Sequence, residues 1–159
     1  MPNEAYNKVR ISWAGVEALV ERLAEQLRGQ KFDYVIGISR GGLVPTGLLA
    51  KRLRYFKVLV ASIQGYDDQD NKLPHPILLE FPPETLLHGQ DVLIIDDVWD
   101  TGDTIALVKK IVDRAGGRSK TAALHWKPRR SKHSGPPDFF AQETDDWIVY
   151  PWESPKPVI

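Results

Sequence analysis

The chain has 159 residues, 42% hydrophobic and 26% charged, with no cysteine and with Lys plus Arg balancing Asp plus Glu at 21 each. This composition predicts one globular domain over 1–159 and excludes disulfides, thiol catalysis and thiolate metal sites, while the zero net charge argues against a dedicated nucleic-acid binder. Met1 to Val9 lacks the succession of a secretory signal and no apolar run reaches membrane-spanning length, so a cytoplasmic protein without a membrane partner is expected.

Trp13, Val16, Leu19, Val20, Leu23 and Leu27 recur at helical spacing behind Ser12, a good N-cap, and Gly29 follows as a stop. Tyr34 to Ile38 reads as a buried strand that runs into Ser39-Arg40-Gly41-Gly42, after which Pro45 can open a helix through Leu53. Phe56 to Ser62 reads as a further strand. Gln64 to Pro76 is polar, glycine- and proline-containing, and reads as a mobile loop, with Ile77 to Phe81 returning from it as a strand. Pro82 to Gln90 connects to Val92-Leu93-Ile94-Ile95, a continuous apolar run, and Thr101 to Ala115 has helical periodicity closed by Gly116 and Gly117. Thr121 to Trp126 makes another strand; Phe139 to Gln142 and Trp147 to Tyr150 are short late strands. Strands alternating with helices predict an α/β domain with a mostly parallel sheet, and ligands at the carboxyl ends of its strands.

Asp96-Asp97-Val98-Trp99-Asp100-Thr101-Gly102-Asp103-Thr104 places acids at a strand end and a Thr-Gly-x-Thr turn at a helix start. Backbone N–H groups there are unsatisfied by the helix, Gly102 permits close approach, and the Thr101 and Thr104 hydroxyls add donors, so the turn suits a phosphate. Acids beside a phosphate repel it unless they accept hydroxyl protons or face a metal; ribose hydroxyls and magnesium meet both conditions. Taken singly, Asp97 or Asp100 would serve as a helix cap and Gly102 as a turn residue. Their joint occurrence after a buried strand points to an anion cradle.

This segment resembles the PRPP-binding motif of the type I phosphoribosyltransferases. The resemblance implies that family's fold, a twisted, mostly parallel sheet flanked by helices with a mobile hood loop. It implies that Asp96 and Asp97 meet the ribose hydroxyls and that Asp100, Thr101, Gly102, Asp103 and Thr104 hold the 5-phosphate. Ser39, Arg40, Gly41 and Gly42 are similar to the family's pyrophosphate loop, in which a cis peptide is expected at Arg40-Gly41, with Tyr66 and Lys72 reaching over from the hood. The hood departs from the family pattern in having Gly65-Tyr66 where adjacent Ser and Tyr are common.

Lys127 after a strand and Trp147-Ile148-Val149-Tyr150-Pro151-Trp152-Glu153 are similar to the xanthine-guanine and hypoxanthine-guanine (6-oxopurine) branch. That likeness implies that Lys127 donates to the 6-oxygen, Trp147 stacks on the purine and Ile148 offers backbone contacts. It further implies that Asp96, Asp97 and Glu153 attend a Mg2+ cofactor, that Asp100 and Arg40 are catalytic, and that the enzyme is a homodimer or higher homo-oligomer acting on PRPP and a purine base. Edge-strand packing would also account for Trp147 and Trp152, and solvation for Lys127, though the binding reading outweighs it at Lys127 and Trp147. Transfer to adenine or a pyrimidine is an alternative; a PRPP-sensing regulator that binds nucleic acid through Lys127, Arg129, Arg130 and Lys132 is another.

Overall fold

A computed structural model of the chain describes residues 7–69 and 71–153. The outermost parts of the expected 1–159 domain, and Asp70 of the expected loop, lie outside the described residues. In chain order the elements are β1 (Lys8–Arg10), α1 (Trp13–Leu27), β2 (Tyr34–Ser39), α2 (Leu43–Leu53), β3 (Val58–Tyr66), β4 (Lys72–Glu80), β5 (Asp91–Trp99), α3 (Asp103–Arg114), β6 (Arg118–Trp126), β7 (Phe139–Glu143) and β8 (Trp147–Val149). Short 3-10 turns cover Glu84–Leu86 and Pro151–Glu153.

Helix α1 starts behind Ser12, whose hydroxyl accepts the Gly15 N–H at 3.0 Å, and it buries the apolar stripe that ends at Leu27. Helix α2 begins at Leu43, two residues before Pro45, because the first turn needs no N–H from proline. Six strands run β4-β3-β2-β5-β6-β7, parallel throughout except for β4 against β3. Alternate residues of the central strands serve two cores. Val35, Leu93, Ile95, Ala122 and Leu124 pack with α1 and Leu49 on one face. Ile36, Ile38, Val92, Ile94 and Ala123 pack with Ile105, Val108 and Val112 of α3 on the other. A sheet covered on both faces needs continuous apolar strands, which is how β2 and β5 read. Among the described residues no helix is long and apolar enough to cross a membrane.

Two expectations change and one strand is added. The stretch read as an irregular loop from Gln64 to Pro76 is largely an antiparallel hairpin of β3 and β4, with Tyr66 opposite Lys72. Pro74 and Pro76 fit there because β4 is an edge strand, where a missing N–H breaks no interior ladder. Strand β5 continues through Asp96 and Asp97 to Trp99, held by β6 through Asp96 opposite Ala123 and Val98 opposite His125. Strand β1 pairs in parallel with β8, Val9 opposite Ile148, in a separate two-stranded sheet.

Leu23 is fully buried between α1 and the sheet. Truncating it in a Leu23→Ala variant is expected to lower unfolding free energy by about 2–5 kcal/mol in urea titration, because the rigid sheet beneath cannot collapse into the void.

Candidate active site

The connections out of β2 and β5 diverge: β3 lies on the outer side of β2 and β6 on the outer side of β5. Between the carboxyl ends of such a strand pair an α/β sheet opens a crevice. Ser39–Gly42 leaves β2 at that crevice, and Asp96–Thr104 leaves β5 there. The two loops are packed against each other to the limit of backbone approach. A Cβ on Gly41 would lie 2.2 Å from Asp97 Oδ2, and one on Gly42 would lie 2.6 Å from the Ile38 carbonyl and 2.7 Å from the Ile95 carbonyl. Both positions therefore exclude every other residue. Ser39 shares a hydroxyl hydrogen bond with Ser62 of β3 at 3.1 Å, while Arg40 projects into solvent. The cis peptide falls at Ser39-Arg40 rather than at the expected Arg40-Gly41; the glycine pair marks the tight loop without marking which bond is cis.

Asp96 Oδ1 accepts the Asp97 N–H and Asp97 Oδ1 accepts the Val98 N–H, each at 2.8 Å. Burial, and then the Asp97 carboxylate, push Asp96 well above the usual carboxylate range; burial pushes Asp97 up as well, against hydrogen bonds that pull it down. Two crowded, desolvated carboxyls favour partners that bring protons or positive charge. Glu153, also raised by burial, spends Oε2 on the Tyr150 N–H at 2.9 Å. Among the described residues no three acid or imidazole side chains form a cation cage, so the expected Asp96, Asp97 and Glu153 set is not gathered as one. The Asp96-Asp97 pair does fit a hard cation that keeps most of its oxygen ligands from water and phosphates, as magnesium does.

The turn after β5 opens α3 with Gly102 at φ 85°, where a Cβ would strike the Trp99 indole. Three cations and an imidazole surround it. Lys72 Nζ, from the hairpin, donates to Thr101 Oγ1 at 3.0 Å. Lys132 and His133 contact the two oxygens of Asp103 at 3.4 and 3.1 Å. Burial would raise Asp103, but hydrogen bonds from His133, Thr101 and Lys132 outweigh it and hold the carboxyl below its ordinary value. Arg130 grips Asp100 in a bidentate pair through Nε and Nη2, the latter 3.1 Å from Oδ2. Tyr66 stands close enough to feel Asp100 and Arg130, and the Gly65 Cβ position is 4.0 Å from Thr104 Oγ1, so the hairpin overhangs the turn.

Lys127 is only 4% exposed, and its ammonium lies 5.3 Å from the centre of the half-exposed Trp147 ring. Burial lowers its pKa, partly opposed by Asp100. Ile148 has its side chain in the core, leaving its backbone as the group that can face a ligand. Behind them, fully buried His125 meets the Tyr150 hydroxyl at 2.7 Å, and that hydroxyl donates to the Asp97 carbonyl at 3.1 Å.

The structure thus gathers Ser39–Gly42, Asp96–Thr104, Tyr66, Lys72, Lys127 and Trp147 at one edge of the sheet. Lys72 departs from expectation by contacting the Thr101 turn and not the Ser39–Gly42 loop. The basic cluster is dispersed: Lys127 is buried, Arg130 binds Asp100, Lys132 approaches Asp103, and Arg129 lies 3.4 Å from Asp145. Arg130, His125 and Tyr150 were missed as site residues, since each acts on a residue 25 to 53 positions away and no local spacing marks such contacts.

Residues 6–155 match the family described as phosphoribosyl transferase domain. The chain is 32% identical over 153 residues to the xanthine-guanine phosphoribosyltransferase of Cereibacter sphaeroides, covering 90% of this chain and 85% of that one. It is likewise 32% identical over 149 residues to the enzyme of that name from Desulfotalea psychrophila, covering 91% and 85%. A crystal structure of a purine phosphoribosyltransferase from Pyrococcus horikoshii superposes with a TM-score of 0.77 at 34% identity, over 96% of this chain and 97% of the other.

His125 has its pKa lowered to about 4 by burial and by Lys127, whereas an unfolded histidine titrates near 6.5. Between those values the unfolded chain binds the extra proton, so the stability that neutral His125 contributes is complete above 6.5 and is lost as pH falls through 4. Asp96 and Asp97, being raised, act in the opposite sense, so the measurement is a difference. The stability gap between wild type and His125→Gln, read from urea midpoints, is expected to narrow as pH falls across this window; a constant gap would contradict it.

Proposed function

Because the chain belongs to the phosphoribosyl transferase family, we propose that this enzyme transfers the 5-phosphoribosyl group of PRPP to a 6-oxopurine (hypoxanthine, guanine or xanthine) and releases pyrophosphate, in purine salvage. The observation that carries the acceptor assignment is Lys127, a residue only 4% exposed whose ammonium lies 5.3 Å from the centre of the Trp147 ring and, among the described residues, has no carboxylate hydrogen-bonded to it. The 32% identity to two xanthine-guanine phosphoribosyltransferases supports the same choice. An ammonium can only donate, so it suits a 6-oxo group that accepts and opposes a 6-amino group. Trp147 supplies a flat apolar face and Ile148 a backbone edge for the heterocycle.

In this reading the Asp100–Thr104 turn holds the 5-phosphate through backbone N–H groups and the Thr101 and Thr104 hydroxyls. Lys72 is reassigned to that phosphate from its contact with Thr101. Asp96 and Asp97 accept the ribose hydroxyl protons, which relieves two carboxyls that burial leaves reluctant to ionise. They are also the residues that would face Mg2+ entering with PRPP, and the ion would neutralise charge on the pyrophosphate. Gly41 offers a backbone donor to the pyrophosphate, Ser39 and Gly42 shape the loop, the Gly42 N–H being spent on the Ile38 carbonyl at 2.9 Å, and exposed Arg40 supplies a mobile guanidinium to the same group. As the bond to C1 of the ribose lengthens, positive charge develops on the sugar; positioning and charge then matter more than a covalent nucleophile. Asp100 receives the proton, or a hydrogen bond, from the imidazole edge of the purine, with Arg130 fixing its orientation. Tyr66 on the overhanging hairpin excludes water that would otherwise capture the sugar cation. A cytoplasmic location and a homo-oligomeric state accompany this reading through the family resemblance alone. The engagement of Arg129, Arg130 and Lys132 with carboxylates favours a catalytic site over a nucleic-acid face.

Pyrophosphate release from PRPP and magnesium is expected with hypoxanthine, guanine or xanthine, and not with adenine, uracil or orotate. Activity confined to the latter group would overturn the acceptor assignment, and inactivity with all six would favour a PRPP-sensing regulator. Lys127→Met should weaken oxopurine use by about 10- to 100-fold, the scale of one charged hydrogen bond, with little change in the KM for PRPP. Gly41→Ala should do the reverse, raising the KM for PRPP, because its methyl group occupies the place of Asp97 Oδ2.

A further inference from the structure

Tyr150 is the largest fully buried side chain among the described residues and belongs to the core face packed on α1, and its hydroxyl lies where three chain segments meet. It donates to the main-chain carbonyl of Asp97 on β5 at 3.1 Å. A carbonyl can only accept, so the phenol proton is committed to it and the phenol oxygen must accept from His125 Nδ1 on β6, 2.7 Å away. His125 is therefore a neutral imidazole protonated on Nδ1, and its Nε2 is buried without a hydrogen-bond partner. Burying that lone pair is costly, and the fold tolerates it in exchange for a fixed donor on the Tyr150 oxygen. The Tyr150 ring is held independently of its hydroxyl. It stacks on Trp152 with centroids 4.6 Å apart and planes within 5°, and its N–H donates to Glu153.

We propose that Tyr150 is a positioning residue, locked by His125, that couples the purine-binding segment Trp147–Ile148 to the ribose-binding acid Asp97. This rests on the 6-oxopurine phosphoribosyltransferase reading and deepens it. Only Val149 separates Tyr150 from Ile148, so movement of a base-bearing segment is transmitted to the hydroxyl. The hydroxyl fixes the main chain of Asp97, whose carboxylate is packed against Gly41 with no room to shift toward the pyrophosphate loop. Purine and PRPP therefore bind to one connected unit, and each should raise affinity for the other.

The test is Tyr150→Phe, which keeps the ring, its stacking and its burial and removes one oxygen. Its readouts are the KM values for PRPP and purine, kcat, and PRPP binding by calorimetry with and without the product-like purine. Loss of one buried hydrogen bond predicts an increase of about 3- to 10-fold in the KM for PRPP with a smaller change in kcat, and loss of the mutual enhancement between the ligands. His125→Asn should raise the KM for PRPP similarly, and the double variant should be no worse than either single one, because both remove the same link. Nitrogen-15 spectra of the His125 ring should give an Nδ1-protonated neutral imidazole in wild type. An unchanged KM and unchanged ligand coupling in Tyr150→Phe, or additive effects in the double variant, would overturn the proposal. Should wild type transfer to no base, the oxopurine reading fails while the calorimetric comparison and the ring spectra still decide the link.

Discussion

The closest constraint in the molecule is the contact between the Gly41-Gly42 backbone and the end of β5. No side chain fits at either glycine, because Asp97 and two main-chain carbonyls already occupy the space. This contact turns two loops from distant parts of the sequence into one surface with little freedom to breathe. It also removes water from Asp97, which contributes to the burial that raises its pKa. An acid pair in that state is poorly solvated before any ligand arrives. Donor hydroxyls or a cation then stabilise it more than they would stabilise an exposed pair, so the packing of the scaffold is converted into ligand affinity.

The charges around the next turn obey the same economy. Lys72, Arg130 and Lys132 come from the hairpin and from the segment after β6, and each contacts the 100–104 turn through a named oxygen. Individually the exposed pairs contribute little to stability. Collectively they give a turn rich in carboxylates a surrounding positive field, without which Asp96, Asp97, Asp100 and Asp103 would repel a phosphate. The Arg130-Asp100 pair differs from the rest in being mostly buried and bidentate, which fixes the direction of the carboxylate as well as compensating its charge.

Legibility in the sequence followed the range of the interactions involved. Helix α1 was readable because its cap and stripe are local, and β2 and β5 because burial on both faces demands unbroken apolar runs. The extension of β5 through Asp96 and Asp97 was not readable: aspartate is a poor strand former, and only the partner β6 keeps those residues extended. The hairpin strand β4 was obscured by Pro74 and Pro76, whose tolerance depends on an edge position that is a property of the whole sheet. Three-residue β1 has no pattern of its own and exists through pairing with β8. At the crevice, glycine and hydroxyl spacing marked the two loops that meet there, whereas Arg130, His125 and Tyr150 carry their information in contacts between remote segments.

The acceptor end of the site follows from a charge the protein offsets only partly. Asp100, and more weakly Asp145 and Asp146, raise the pKa of Lys127, yet none of them hydrogen-bonds to it, and burial still dominates. The Trp147 ring compensates the ammonium only partly, through its electron-rich face. A ligand that offers an oxygen acceptor relieves this deficit, and a ligand that offers an amino group deepens it by setting donor against donor. Discrimination of this kind comes from the penalty on the wrong ligand more than from added attraction to the right one, and it is strongest where the unanswered group is buried. In the proposed reading Trp147 would do the complementary work: its half-exposed face would receive any flat base, so stacking would supply affinity and the lysine choice.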